Sequence, residues 1–485
     1  MRPIRVRMNG KTHFDLICIG SGPAGERAAV KAAGLGFSVA LVEREGQPGG
    51  AMVNTGTVAS KVLRETALLC SSFRRRPIPG IESDLDRSIS FDRFLARTTL
   101  VRMEEHDRIE SDLDLAGVQV IRGMARLDGP GRVLVQQENG ETVTLETERV
   151  LLAVGSRPSR PDHVDFSHPS IVDSTSILQL QRMPESLVVV GGGVIGSEYA
   201  SIFAEMGVPT TVIEPRSTLM RFLDEECREV IIEEMKRSGI TFRFGSAPRA
   251  VHPLDSGAAV ELEDGTQVRA DTVLWALGRQ GNTEDLGLQT VGLQPNARGL
   301  LVVDDTFQTP CPGIWAAGDV VGFPALASTS MQQAKIAVEH MFDLPSTSTI
   351  SNLIPMGIYT IPSIASIGPD ESSLKEHGHD VVVGRAEYRR NARGRMLGDD
   401  KGLVKLVFDR GTTALLHATI VGEDATELIH LAMMAIAQDW RIHDFRETCF
   451  TYPSLGALFK SAANSAAQRI RVDARRDRSP RDIAA

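Results

Sequence analysis

The chain has 485 residues, of which 42% are hydrophobic and 24% charged, with 44 glycines. That length accommodates roughly two to four domains with true cores and excludes both a disulfide-stapled miniature and a disordered chain. A formal net charge of -9 at pH 7 works against a long phosphate backbone as the main partner, so no nucleic acid is expected. The five cysteines, Cys18, Cys70, Cys227, Cys311 and Cys449, form no Cys-x-x-Cys or Cys-x4-Cys pair. This excludes a local metal knuckle and fits a reducing, cytoplasmic setting, and no metal site is expected. No apolar run approaches the roughly 20 residues of a membrane span.

The first predicted element is the apolar strand Phe14-Asp-Leu-Ile-Cys-Ile19, followed by Gly20-Ser-Gly-Pro-Ala-Gly25 and a small-residue helix from Glu26 to Gly34. A second strand, Ser38 to Val42, ends at Glu43. Strand, glycine turn, helix, strand and acid, in that order, make a dinucleotide-binding βαβ unit. Gly20 makes the tight turn, Gly22 admits the pyrophosphate, Gly25 lets helix pack on strand, and Glu43 accepts from the adenosine ribose. Val118 to Val143 alternates apolar and polar residues around Gly129-Pro-Gly131 and Asn139-Gly140, which predicts hairpins.

The nucleotide pattern then recurs. Ser186 to Val190 leads into Gly191-Gly-Gly-Val-Ile-Gly196, a helix from Ser197 to Met206, a strand from Thr210 to Ile213 and an acid at Glu214. One glycine motif is weak evidence, whereas two with every element in order are strong. Strands stop abruptly at Gly155-Ser-Arg-Pro158, at Gly278-Arg279 and at Gly318-Asp319, where ligands sit in open α/β sheets. From about Ser346 the pattern becomes β-rich, with a helix from Ala425 to Gln438, as in a separate α+β domain. The charged end from Arg471 to Asp482 reads as a solvated tail.

With these motifs in place, the chain from about Phe14 to Arg469 resembles the pyridine nucleotide-disulfide oxidoreductases, the two-dinucleotide flavoprotein family of lipoamide dehydrogenase and glutathione reductase. Gly155-Ser-Arg-Pro158, Asp173-Ser-Thr-Ser-Ile-Leu178, Gly278-Arg-Gln-Gly-Asn-Thr283 and Gly357-Ile-Tyr-Thr-Ile-Pro362 are most similar to its soluble transhydrogenase branch. The resemblance implies an α/β fold with two Rossmann-like domains and a C-terminal α+β dimerisation domain, hence a homodimer. Its implied division is an FAD domain over 12–160 and 281–345, an NAD(P) domain over 161–280, a dimerisation domain over 346–470 and a charged tail over 471–485.

It further implies FAD at the first unit and NAD(H) or NADP(H), as substrates, at the second. Gly20, Gly22, Gly25 and Glu43 would hold the ADP half of FAD, Ala125 the adenine, and Asp319 the ribityl or pyrophosphate region. Gly191, Gly193, Gly196 and Glu214 would hold the nicotinamide dinucleotide. Pro23, Ala24, Gly50, Ala51, Gly155, Val194, Ile195, Gly278, Gly318 and Ala327 complete the implied cofactor contacts, with the helix from Ala327 aimed at the flavin pyrimidine ring. Glu214 favours a ribose 2′-hydroxyl and hence NAD, while Arg216 and Arg279 are candidates to reach a 2′-phosphate.

The redox segment departs from the family. Its two cysteine positions fall on Met52 and Thr57, and the C-terminal His and Glu that manage thiol protons fall on Tyr452 and Ala457. Without sulfur no thiolate forms, so disulfide reduction is excluded here and a general base has no task. What remains is hydride chemistry, with Lys61 at the family position near the flavin and Glu198 at the position that pairs with it; the implied catalytic residues are Lys61, Glu198 and Thr57. The leading expectation is an FAD-dependent enzyme moving hydride between NADPH and NAD+. The alternatives are an NADH-dependent diaphorase, quinone reductase or oxidase, and, outside enzymes, a redox-silent flavin- and NAD-binding sensor or scaffold.

Overall fold

A computed structural model describes residues 12–76, 90–345, 350 and 353–476. Leu16–Ile19 lies at the centre of a parallel five-stranded sheet, flanked by Val39–Glu43 and then Gln119–Arg122 on one side, and by Val150–Leu152 and then Ile314–Ala316 on the other. All four residues of Leu16–Ile19 are buried, as expected of a continuous apolar run covered on both faces. Helix Pro23–Gly34 follows, opened by a proline at its first position, where the missing N–H costs nothing.

The second unit repeats this plan. Leu187–Val190 is central, with Thr210–Glu214 and Ile240–Phe244 on one side and Thr272–Trp275 and Ile171–Asp173 on the other, all parallel. Its helix, Val194–Glu205, starts at the same point after its glycine turn as the first. Each sheet therefore brings a glycine turn and an acid-terminated strand to its carboxyl edge. Ser156–Pro158 pairs antiparallel with Arg279–Gly281, joining the two units at the mouths of their sheets.

The C-terminal part holds an antiparallel sheet ordered Met356–Ile358, Ile364–Ile367, Leu415–Val421, Leu403–Asp409, Val381–Glu387. Helices Ala425–Ala437 and Ala457–Arg476 pack on it through a core that includes Ile429, Phe459 and Ala463. The buried Lys405 ammonium ties this sheet to the second unit. It lies 2.7 Å from Asp224, which caps helix Glu225–Arg237, 2.7 Å from Glu371 and 3.3 Å from Glu226. Arg385 adds a two-oxygen contact to Glu226.

Two expectations are corrected. The alternation from Val118 onward is not all hairpin: Gln119–Arg122 pairs parallel with Val39–Glu43, and Gly123 ends that pairing by donating its N–H to the Glu43 carbonyl. Only Met124–Leu127, Arg132–Gln136 and Thr142–Glu146 form the antiparallel meander. The tail does not begin at Arg471, because helix Ala457–Arg476 continues through it and Asp473 pairs with Arg410 at 2.9 Å. The rest of that segment, 477–485, lies outside the described residues.

Candidate active site

Both glycine turns are built the same way. Gly20 and Gly191 have φ of +101° and +109°, a left-handed conformation that only glycine adopts without strain. A Cβ on Gly25 would lie 1.8 Å from the Gly20 carbonyl oxygen, and one on Gly196 would lie 1.9 Å from that of Gly191. The third glycine of each motif is thus required by the contact between helix and turn. Gly22 and Gly193 are extended residues at the helix N-termini, with no side chain capping the first turn. The uncapped N–H groups are left for an anion, which the helix dipole also favours.

The two acids match as well. Glu43 accepts from the Ser21 N–H at 2.9 Å and the Glu45 N–H at 2.8 Å; Glu214 accepts from the Gly192 N–H at 2.7 Å and the Arg216 N–H at 2.9 Å. Both carboxylates are buried and so fixed in direction beside their glycine turns. The Arg216 side chain is exposed on the loop beyond Glu214.

A cleft of about 1380 Å³ runs between the units and along the C-terminal part. That exceeds the roughly 300–1,000 Å³ of ordinary small-molecule pockets, as a dinucleotide together with a second nucleotide ring requires. Gly20, Gly22, Pro23, Ala24 and Glu43 line it, as do Gly50, Ala51, Thr57 and Lys61. Ala125, Gly155, Val194, Ile195, Glu198, Arg279, Gly318, Asp319 and Ala327 complete the set of sequence-predicted residues on its walls. Gly25, Gly191, Gly193, Gly196, Glu214, Arg216 and Gly278 do not line it. Gly25, Gly191 and Gly196 shape the turns behind the walls, and open space lies in front of Gly193. The uncapped helix N-terminus, the buried Glu43 and the volume together fit a flavin dinucleotide at the first unit.

Lys61 and Thr57 stand one turn apart on helix Thr57–Cys70. The Lys61 ammonium lies 2.6 Å from Glu198 Oε2, joining the first unit to helix Val194–Glu205 of the second. The other carboxylate oxygen of Glu198 accepts from the Tyr359 N–H at 2.9 Å, and the Tyr359 ring lies 4.9 Å from the ammonium. Beside it, Ser201 Oγ accepts from the Ile361 N–H at 3.1 Å. The strand end at Met356–Ile358 is thereby stitched to the helix that carries Glu198. Tyr359 was not among the predicted site residues; its signal was the Gly357-to-Pro362 segment, whose match to one branch had no other explanation.

Arg279 is bonded to the short sheet between the units. Its Nε donates to Ser156 Oγ at 2.8 Å and its Nη2 to the Ser156 carbonyl at 2.7 Å, while Ser156 Oγ donates to Asp319 Oδ2 at 2.7 Å. Burial holds this guanidinium below its ordinary pKa, with Asp319 and Asp173 pulling the other way. In this arrangement the side chain steadies Asp319 through Ser156 while still lining the cleft. Ser156, also missed, links the two through the short sheet between the units.

Met52 and Thr57 line the same cleft, and all five cysteines are free, with Cys18 and Cys227 buried. Burial pushes the thiols of Cys18 and Cys227 well up, so neither forms a thiolate readily. No cluster of metal ligands occurs among the described residues, and no described helix is long and apolar enough to cross a membrane.

The family described as pyridine nucleotide-disulphide oxidoreductase matches residues 14–339, and its dimerisation domain matches 354–463. The soluble pyridine nucleotide transhydrogenase of Mycobacterium bovis (strain BCG / Pasteur 1173P2) is 39% identical over 460 residues, 95% of this chain and 98% of that relative. The protein of the same description from Marinomonas sp. (strain MWYL1) is 35% identical over 94% of this chain and 99% of its own length. Among solved structures, LpdA from Mycobacterium tuberculosis superposes with a TM-score of 0.86 at 28% identity, covering 93% of this chain and 99% of that one. The HOCl-induced flavoprotein disulfide reductase RclA from Escherichia coli does so with a TM-score of 0.84 at 25% identity, again covering 93% and 99%. By sequence, by fold and by the arrangement of its two nucleotide units, the chain belongs to the pyridine nucleotide-disulphide oxidoreductase family.

Proposed function

We propose that this protein is an FAD-dependent transhydrogenase that moves hydride between NADPH and NAD+ and reduces no disulfide. The observation that carries the reading is the wall of the cleft itself: Met52 and Thr57 stand where a redox disulfide would, while the Lys61–Glu198 pair is intact at 2.6 Å. The relatives described as soluble pyridine nucleotide transhydrogenases support it.

FAD, when bound, supplies a ring that accepts hydride from one dihydronicotinamide and returns it to another nicotinamide. The chain binds, orients and polarises. Gly20, Gly22 and Gly25 offer the uncapped helix N-terminus to the FAD pyrophosphate, and Glu43 accepts from the adenosine ribose. Gly191, Gly193, Gly196 and Glu214 do the same for the nicotinamide dinucleotide. Arg216 and Arg279 are the candidates to meet a 2′-phosphate, and Arg216 with Glu214 would admit both nucleotides with a bias toward NAD. Glu198 holds the Lys61 ammonium in the cleft, where its charge would favour the electron-rich reduced flavin. Asp319, steadied by Ser156 and Arg279, would meet the FAD ribityl chain or pyrophosphate. Direct hydride transfer needs no general acid or base, which agrees with Tyr452 and Ala457 standing where a proton-handling pair would.

The FAD domain is assigned to 12–160 and 281–345, the NAD(P) domain to 161–280 and the dimerisation domain to 346–470. The return of Ile314–Ala316 to the first sheet supports that division. The C-terminal match supports a homodimer, and the five free cysteines support a cytoplasmic setting. A second reading, an NADH-dependent quinone reductase, draws on the apolar side chains of Met52, Ile429 and Met433 in the cleft. Turnover of NADPH with thio-NAD+ tests the choice. Transhydrogenation without reduction of lipoamide or glutathione disulfide is expected, and turnover with a quinone but none with thio-NAD+ would select the second reading.

A further inference from the structure

Among the described residues, the basic side chains on the cleft walls are matched by protein groups, with one exception. Lys61 meets Glu198, Arg279 meets Ser156 and Asp319, Arg157 lies 2.7 Å from Glu284, and Arg44 lies 3.2 Å from Glu45. Arg102 also lines the cleft, yet its Nε is buried without a hydrogen-bond partner and no carboxylate pairs with it among the described residues. Partial burial holds this guanidinium below its ordinary pKa. A half-buried cation that lines a cleft and has no counter-charge is open to an anionic group of a ligand held there.

Its position follows from the helix that carries it. Phe91–Leu115 packs against Thr57–Cys70 and the short helix Gly50–Asn54. Phe94 shares a core with Leu63 and Ala67, His106 is bonded to Asn54 Oδ1 at 2.8 Å, and Ile109 sits against Gly49. The two long helices thus run in opposite directions. Arg102, one turn before His106 on the same face, comes level with the start of Thr57–Cys70, beside the wall made by Met52 and Thr57.

We propose that Arg102 forms an oxyanion-binding subsite at that wall, for a phosphate or carboxylate of a molecule held in the cleft. The planar guanidinium, fixed through its helix by the His106–Asn54 bond, presents its outer nitrogens as paired donors for two oxygens of one anion. The anion has two possible sources, a phosphate of the resident dinucleotide or a separate soluble anion. The subsite does not depend on which nucleotide receives the hydride.

The test compares R102M and R102K with wild type as holoenzymes. One arm follows release of FAD on dilution, by flavin fluorescence. The other titrates inorganic phosphate and follows the thermal midpoint. A charge-assisted pair predicts a change of about ten- to hundredfold in R102M, largely restored in R102K. Faster FAD release identifies the dinucleotide phosphate as the anion; unchanged release with loss of phosphate protection identifies a soluble one. A variant that matches wild type in both arms, or a loss in R102M that R102K shares in full, overturns the proposal.

Discussion

Replacing Glu198 by Gln is the sharpest probe of the site. The amide oxygen keeps the acceptor for the Tyr359 N–H, so the stitch between the C-terminal part and helix Val194–Glu205 survives, and only the charge facing Lys61 is lost. Two unit charges 2.6 Å apart attract by roughly 6 kcal/mol at an effective dielectric of about 20. Burial of Glu198 to 4% exposure takes back much of that, leaving roughly 1.5–3 kcal/mol for the pair. If Glu198 acts by holding the ammonium in place, that energy is shared between the residues and is lost only once. In anaerobic stopped-flow, E198Q and K61M each slow flavin bleaching by NADPH by about ten- to hundredfold, and the double variant is no slower than K61M. A double variant whose rate falls by the product of the two single effects would refute the reasoning.

Removing a methyl's worth of space tests the nucleotide turns separately. G25A, whose Cβ would meet the Gly20 carbonyl oxygen at 1.8 Å, yields protein purified without FAD, while G196A keeps FAD and loses saturation by nicotinamide dinucleotide, measured by absorbance and by KM. R216A raises the KM for NADPH by about tenfold with little effect on NADH, and E214A weakens NADH selectively; equal effects on both nucleotides would remove Glu214 and Arg216 from that role. K405M leaves Asp224, Glu226 and Glu371 without their buried cation and costs about 3–5 kcal/mol, read as a lower thermal midpoint. Glu371 adds a pH dependence: burial raises its pKa, but the bonds from Lys375 and Lys405 outweigh that and bring it from 4.5 to about 2. Its contribution is present above pH 4.5 and lost as pH falls toward about 2, so E371Q flattens that acid limb of the stability curve.

What could be read from the chain was local. Gly20 to Glu43 and Gly191 to Glu214 carry their meaning in short-range spacing, and the strands and helices there end within a few residues of expectation. Gln119–Arg122 was misassigned because alternation reports a half-buried strand but not whether its partner runs parallel. The helical stretch Arg471–Arg476 was read as tail because its charged residues carry no apolar 3.6-residue period, although the helix is anchored upstream by Phe459, Ala463 and Ala466. Apart from Lys61–Glu198, which the family resemblance implied, contacts across long sequence separations were illegible: Glu198 meets Tyr359 over 161 positions, and Lys405 meets Asp224 over 181. The bonds from Arg279 to Ser156 were illegible for the same reason, since its sequence neighbours say nothing of Ser156. Arg102 carries no motif and becomes conspicuous only once every other cation in the cleft has found a partner.

The central claim is that one flavin, with no cysteine beside it, passes hydride between two nicotinamides. The most direct measurement is an anaerobic sequential mix of the yellow protein, first with one equivalent of NADPH and then with NAD+, followed by visible absorbance and NADH fluorescence. Full bleaching, no long-wavelength thiolate band, and recovery of colour with one NADH formed per flavin are expected. Failure of NADPH to bleach the flavin, or a bleached protein that NAD+ does not reoxidise, would contradict it.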